Sequence, residues 1–442
     1  MDGPTPPKQP YSWPTRLRLQ LLRLVYTSFI YLATPIILYR LLVRGLKLRS
    51  YLQRWSERFG YFPRPGFPVE SIWVHAVSVG ELNAAIPLIH ALRERYRDRP
   101  MVVTTVTPTG SERLRQVFGD SVFHVYLPYD IPAAVRRFLD RVRPRLAVIM
   151  ETEIWPNLYF ICRRRGIPVV IANARLSERS LRGYGPVQPL AGEAIRSATF
   201  IAAQSQTDYE RFLSLGAQPE RLAMVGNLKF DYELPEATTD AGLAWRAASG
   251  GDRPTWIAAS THEGEEQAVL AAHAQVLQRF PDALLVLAPR HPERFRAVAH
   301  AAEAAGLRVR TRSEHQRATA QTQCFVADTL GELMVFFIAS DVAFVAGSLE
   351  PIGGHNVLEP ALAGRAIVVG PHTFNFAEVT DLLLESGAAL RVPGPERLGQ
   401  AVIELLEDPA RRADMGGRAA AVIAGHRGAL ERTLAVIRHI VG

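Results

Sequence analysis

The feature that most constrains this 442-residue chain is a rhythm of short, almost wholly apolar runs alternating with amphipathic stretches, played through twice. In the first half the runs are Ile72–Val77, Met101–Thr105, His124–Leu127, Leu146–Met150, Val169–Ala172 and Phe200–Ala203, with helical stretches such as Leu82–Tyr96 and Ala133–Val142 between them. The second half gives Thr255–Ala259, Ala283–Ala288, Arg308–Thr311, Cys324–Ala327, Val342–Val345 and Ala366–Val369. A sheet with one wet face would read as apolar–polar alternation. Continuous apolar strands separated by helices instead imply a parallel sheet covered on both faces. Two such series predict an α/β chain of two doubly wound domains facing a cleft, joined through the polar, proline-containing stretch Tyr232–Thr239. Ligands are expected at the carboxyl ends of the strands.

Charge separates a third segment. Residues 1–66 carry eleven Lys or Arg against Asp2 and Glu57, a balance of +9 in a chain whose formal charge is +8. The other 376 residues therefore sum to about −1. A nucleic-acid protein concentrates positive charge on its folded reading face, whereas this one gathers it around sixteen uncharged residues, Leu24–Tyr39. Arg16, Arg18 and Arg23 precede that run, and Arg40, Arg44, Lys47 and Arg49 follow it. Nucleic acid is excluded as a partner and an anionic membrane surface is expected. Flanking arginines suit both a short span and a helix lying in one leaflet, so depth stays open. No small-residue cleavage site follows, which argues against a removed signal peptide. The expected division is a basic arm over 1–66 with an anchor helix at about 18–44, a first domain over 67–235 and a second over 236–442.

Cys162 and Cys324 lie far apart among apolar residues, which predicts buried reduced thiols and a cytoplasmic setting. Neither has neighbours at metal-ligand spacing, and no Asp-X-Asp pair occurs. No metal and no cofactor are expected.

The candidate chemistry sits just after predicted strands. Glu81 opens the helix that follows Ile72–Val77, where a carboxylate serves either the helix dipole or, at a cleft, as general base. In Glu151-Thr152-Glu153-Ile154-Trp155-Pro156, two acids directly follow a buried parallel strand, and Glu151, nearest the strand end, is expected in the cleft. Lys229, in Gly226-Asn227-Leu228-Lys229, either snorkels at a surface or stabilises departing phosphate charge. In the second half Pro289-Arg290 offers a fork for phosphate. Leu330-Gly331-Glu332 opens a helical run. Gly353-Gly354 precedes Asn356-Val357-Leu358-Glu359, and a double glycine at a helix start predicts free amides for an anion, with Glu359 suited to ribose hydroxyls.

These residues lie in strings that resemble the 3-deoxy-D-manno-octulosonic acid (Kdo) transferase family. In order they are RWSERFGYF, WVHAVSVGE, TVTPTGSER, YLPYDIP, METEIWPN, IANARLSERS, GNLKFD, STHEGEE, LAPRHPERF, GELM, GGHNVLEP and GPHTFNF, and they span almost the whole chain. The resemblance implies a GT-B fold with a membrane-anchor helix and inverting, metal-independent transfer of Kdo. The implied donor is CMP-Kdo, the acceptor a lipid A precursor (lipid IVA), and the place the cytoplasmic face of the inner membrane. It implies Glu81 as proton acceptor, Glu151 and Lys229 as supporting groups, and CMP contacts from Pro289, Arg290, Leu330, Gly331, Glu332, Asn356, Val357, Leu358 and Glu359. Asn227 stands where some relatives carry serine. A UDP-sugar transferase of the same fold and a non-catalytic nucleotide-binding membrane protein are the alternatives. Spacing alone does not read the donor, and the paired acids favour catalysis.

Overall fold

The structure is a computed structural model that describes residues 13–47, 52–232, 234–315 and 317–441. Arg49 and Tyr51 of the expected arm lie outside the described residues. The chain forms two units, one running through Asp231 and including Arg427–Gly442, the other spanning Tyr232–His426.

The first unit contains a seven-stranded, all-parallel sheet. Its strands are β1 (Ser71–His75), β2 (Met101–Thr105), β3 (Phe123–Tyr126), β4 (Pro144–Met150), β5 (Val169–Ala174), β6 (Phe200–Ala203) and β7 (Leu222–Met224). They lie in the order β3-β2-β1-β4-β5-β6-β7. β1 and β4 are the central pair, and the winding direction reverses between them. Both faces of the sheet are covered, as the continuous apolar runs required: Trp73, Ala147 and Ile171 enter one core, Ile72, Val74 and Val148 the other.

The second unit repeats the plan with β8 (Thr255–Thr261), β9 (Leu284–Pro289), β10 (Val309–Thr311), β11 (Cys324–Val326), β12 (Val342–Val345), β13 (Ala366–Val369) and β14 (Ala389–Arg391). All pairs are parallel, in the order β10-β11-β9-β8-β12-β13-β14, so the reversal falls between β8 and β12. Cys162 and Cys324 are buried and free.

The expected linker is shorter than its composition suggested. Pro235 starts a helix, Glu236–Ala248, and Gly242 on that helix lies against Ile338 of the second unit. The expected second domain also ends too late. The last helix, Ala429–Val441, belongs to the first unit, where Ala429, Ile437 and Val441 join the core beside Ile72, Leu82 and Leu88. Asp231 fixes its start: its two carboxylate oxygens accept from the amides of Gly428 and Leu430, each at 2.5 Å.

The amino-terminal helix runs from Trp13 to Lys47, and its stretch Leu17–Val43 is long and apolar enough to cross a membrane. It is not free of the first unit. Tyr26 donates to Asp130 at 2.9 Å, Thr27 donates to Asn157 at 3.1 Å, and Arg23 lies 4.5 Å over the Phe160 ring. A stripe at helical spacing (Leu19, Leu22, Arg23, Tyr26, Ile30, Ile37, Leu41) is covered or half-covered, while Leu21, Leu24, Val25, Phe29, Leu32 and Ile36 face outward. Beyond this helix, Trp55–Phe59 forms a single 3-10 turn, tied down by Glu57, which accepts from the Tyr126 amide at 2.9 Å.

Candidate active site

In a doubly wound sheet the strand reversal opens a crevice at the carboxyl ends, because the flanking loops there diverge to opposite faces. In the first unit the loops at that point follow β1 and β4, and they carry Glu81 and Glu151. Glu81 sits in the first turn of the helix Val79–Arg95, whose amino end is capped by Ser78. Its Oε2 accepts from the Val77 amide at 2.8 Å and its Oε1 lies 3.4 Å from the Ser78 hydroxyl. Burial pushes the Glu81 carboxyl up to about 8; Glu151 and Glu153 add to the rise, while the Val77 amide and Ser78 hydroxyl oppose it. A simple helix-start glutamate would stand ionised in water. This one holds its proton near neutrality.

Glu151 leaves β4 with φ 55°, a backbone conformation that side chains other than glycine seldom adopt. Asn173, at the end of β5, has φ 53°, and Ser260, at the end of β8, has φ 61°. Such positions persist only where surrounding bonds enforce them, and all three stand at strand carboxyl ends. Glu151 Oε1 accepts from Lys229 Nζ at 3.3 Å. Glu153 is engaged differently: its carboxylate accepts from the Trp155 indole at 2.7 Å and its backbone carbonyl from the Tyr159 hydroxyl. The acid nearest the strand end is thus the one brought to the lysine.

A side-chain network holds the loop that carries Lys229. Gln204 donates to the Asn173 carbonyl at 2.8 Å, Asn227 donates to Gln204 at 3.1 Å, and the Leu228 amide donates to Asn173 Oδ1 at 2.9 Å. The Lys229 amide then donates to Asn227 Oδ1 at 3.0 Å. Asn173 is wholly buried, and its Nδ2 has no hydrogen-bond partner among the described residues. The sequence reading gave Asn173 and Gln204 no role, although both lie at strand ends, where the same rule would have flagged them.

In the second unit the loops at the reversal follow β8 and β12. Glu265, fully buried, accepts from the amides of Gly347 (2.7 Å), Ser348 (3.0 Å) and Leu349 (2.9 Å), fixing the turn after β12. His262 and His355 stack with their planes 5° apart, their Nε2 atoms separated by 2.7 Å, so one ring donates to the other. His291 meets His262 edge-on, with ring centres 5.3 Å apart. Burial, with His262, Arg290 and His291 adding to it, lowers His355 to about 4, so it stands neutral. Neither Glu265 nor the histidine pair was assigned from sequence.

The expected contacts separate into three groups. Arg290, directly after Pro289, is exposed and has no ion pair among the described residues. Asn356 accepts from the Leu358 amide and donates to Glu359 at 3.1 Å, so Asn356 and Glu359 form one polar unit. Val357 and Leu358 are buried, and the Leu358 amide is already taken by Asn356. Leu330 is exposed and Gly331 adopts φ 87°, but Glu332 is gripped by Arg312 at 2.6 Å, which holds its carboxyl below the usual range. The double glycine departs from expectation. The amides of Gly353 and Gly354 both donate to the Gly347 carbonyl, at 3.1 and 2.6 Å, and the helix beyond, Leu358–Leu362, is one turn long. They shape the turn and are not free anion donors.

Residues 53–232 match the amino-terminal domain family described as 3-deoxy-D-manno-octulosonic-acid transferase (kdotransferase). The 3-deoxy-D-manno-octulosonic acid transferase of Haemophilus influenzae is 40% identical over 94% of this chain and 98% of its own length. The enzyme of the same name from Bordetella pertussis is 38% identical over 91% and 99%. In fold the chain is similar to the UDP-GlcNAc 2-epimerase of Neisseria meningitidis (TM-score 0.59, 12% identity, covering 84% of this chain and 100% of that one). Two parallel seven-stranded sheets of this kind are the GT-B-like fold. Over nearly its whole length, the chain belongs to the 3-deoxy-D-manno-octulosonic acid transferase family.

Proposed function

We propose that this chain, a glycosyltransferase by family, transfers Kdo from CMP-Kdo to a lipid A precursor, lipid IVA, with inversion, in lipopolysaccharide biosynthesis at the cytoplasmic face of the inner membrane. The observation that carries the reading is the strand reversal of the first unit. It sets a carboxyl of raised proton affinity, Glu81, among Glu151 and its ion-paired Lys229.

In this reading Glu81 takes the proton of the acceptor hydroxyl as that oxygen bonds to the anomeric carbon of Kdo. The bond from that carbon to the CMP phosphate oxygen breaks, and CMP leaves with the electron pair. A base whose conjugate acid has a pKa near the working pH is efficient, which suits a carboxyl at about 8. Lys229 meets the developing negative charge and Glu151 orients it. The first unit takes the acceptor. The second takes the nucleotide, with Pro289 and Arg290 at the phosphate and with Leu330, Gly331, Glu332 and the stretch Asn356 to Glu359 around the nucleoside. Cationic side chains neutralise a departing monophosphate, so activity is expected to persist in EDTA. The outward apolar side of the amino-terminal helix lies in the anionic leaflet and keeps the enzyme beside its lipid acceptor.

Purified chain incubated with CMP-Kdo and lipid IVA should yield CMP and an acceptor heavier by whole Kdo residues on mass spectrometry. Transfer from a UDP-sugar instead, or CMP binding without product, would overturn the reading.

A further inference from the structure

At the opposite end of the first sheet, where the strands begin, lies a groove of about 1060 Å³ that the proposed reaction does not use. Pro144 at the start of β4 and Thr199 just before β6 mark its floor, and the amino-terminal helix supplies one wall through Leu19, Gln20 and Arg23. Six arginines line it: Arg23, Arg145, Arg163, Arg164, Arg165 and Arg221. Glu70 and Glu193 are its acids.

Three of the arginines are accounted for by the fold. Arg163 pairs with Glu193 at 3.1 Å, Arg165 with Asp140 at 2.8 Å, and Arg145 with Glu70 at 3.9 Å. Arg23 rests on an aromatic ring instead of an acid. Arg164 and Arg221 have no acidic partner among the described residues. Gathering like charges in a concave surface is unfavourable unless something anionic enters, and a planar guanidinium fork matches phosphate oxygens. The helix that walls the groove turns Leu17, Leu21, Leu24 and Val25 outward, all exposed, so the groove adjoins the apolar face that would enter a bilayer. A water-soluble anion would need no such neighbour. A lipid would: its phosphate among the arginines, its acyl chains along the leucines.

We infer that the groove between the amino-terminal helix and the strand starts of the first sheet binds the phosphate headgroup of an anionic membrane lipid, apart from the catalytic end. The inference rests on the reading of that helix as membrane-bound. It adds a headgroup-selective site to an apolar anchor whose flanking basic residues select no particular headgroup.

The test uses the full chain in non-ionic detergent, titrated with a fluorescent short-chain phosphatidylglycerol and followed by anisotropy. Saturable binding is expected, with the affinity falling about tenfold or more in Arg164→Ala/Arg221→Ala. Phosphatidylcholine of the same chain length should not compete. Equal binding by the variant, or equal competition by phosphatidylcholine, would overturn the site. Competition by millimolar inorganic phosphate as effective as that by the lipid would show a soluble anion to be the ligand, against the inference. The double variant should transfer to detergent-dispersed acceptor at the wild-type rate, which also shows that it folds. A raised KM for that acceptor would assign the groove to substrate and likewise overturn the inference. Flotation of the wild type with pure phosphatidylcholine vesicles separates the two readings. Flotation without selective phosphatidylglycerol binding keeps the anchor and removes the site. Absence of flotation removes the anchor itself.

Discussion

Lys229 and Glu151 meet at 3.3 Å across 78 positions of sequence, one carried by a loop after β7, the other by the first residue beyond β4. Both are largely shielded but not sealed, with 25% and 19% of their side chains exposed. Such a pair adds little stability. In the proposed reaction it holds a cation where leaving-group charge would appear. Lys229→Ala is therefore expected to lower kcat by about 10²–10³-fold with a small change in the KM for donor, as removal of a transition-state contact does. A rise in KM with unchanged kcat would make Lys229 a ground-state binder.

Glu81→Gln keeps the shape and loses the basic site. Transfer should fall by about 10²–10⁴-fold while CMP affinity by calorimetry stays the same. In the wild type, kcat should climb with pH through about 8, where half of the Glu81 carboxyl is ionised, and level off above it.

The same group leaves a signature on stability. A carboxyl raised from 4.5 to about 8 on folding makes the folded chain hold a proton that the unfolded chain releases. Its contribution is fully present below about 4.5 and is lost as pH rises through about 8. The Tm of the wild type should therefore decline between pH 5 and 8.5 more than that of Glu81→Gln. Parallel Tm curves for the two proteins would contradict the placement of Glu81 in a desolvated pocket.

In the second unit, Arg290→Ala and Glu359→Ala each remove a charged contact, which for CMP means an affinity lower by roughly ten- to a hundredfold. Unchanged binding by both variants would move the nucleotide away from β9 and the Asn356–Glu359 turn.

Glu265→Ala tests architecture. It leaves three amides without their acceptor, at a cost of about 3 kcal/mol or more, or roughly 6–12 °C in Tm for a unit of this size. CMP affinity should fall with it, because the turn after β12 loses its form. A Tm within 2 °C of wild type, on the order of 1 kcal/mol or less, would mean that water replaces the carboxylate.

Much of this was legible in the sequence. Twelve strands could be placed because continuous apolar runs leave a two-sided sheet as the only economical fold. β7 and β14 escaped notice: each is a three-residue edge strand with one buried, one half-buried and one exposed residue, too short to show a period. Glu81 and Glu151 could be singled out as candidates because each follows a predicted strand; Lys229 follows β7, which went unseen, and stood out only as a lysine among apolar residues. The work of Glu265 and Asn173 was not, since a buried polar residue declares itself only through partners tens of residues away. The glycine pair misled for a related reason: a Gly-Gly string shows that the chain turns, and not which carbonyl consumes its amides. The amino-terminal helix was read as separable, yet Tyr26, Thr27 and Arg23 dock it on Asp130, Asn157 and Phe160.

The closure of the first unit by the last helix has a consequence for synthesis. A ribosome releases the chain from its amino end, so all of Tyr232–His426 emerges before Ala429–Val441 can take its place beside Ile72 and Leu82. The second unit has its whole sequence available while the first still lacks an element of its core. Until Ala429–Val441 appears, the nascent protein would show an apolar gap beside Ile72, Leu82 and Leu88. Fusions placed directly after Ala429–Val441 that delay or crowd its docking should therefore reduce yield through aggregation, even though the second unit is already complete.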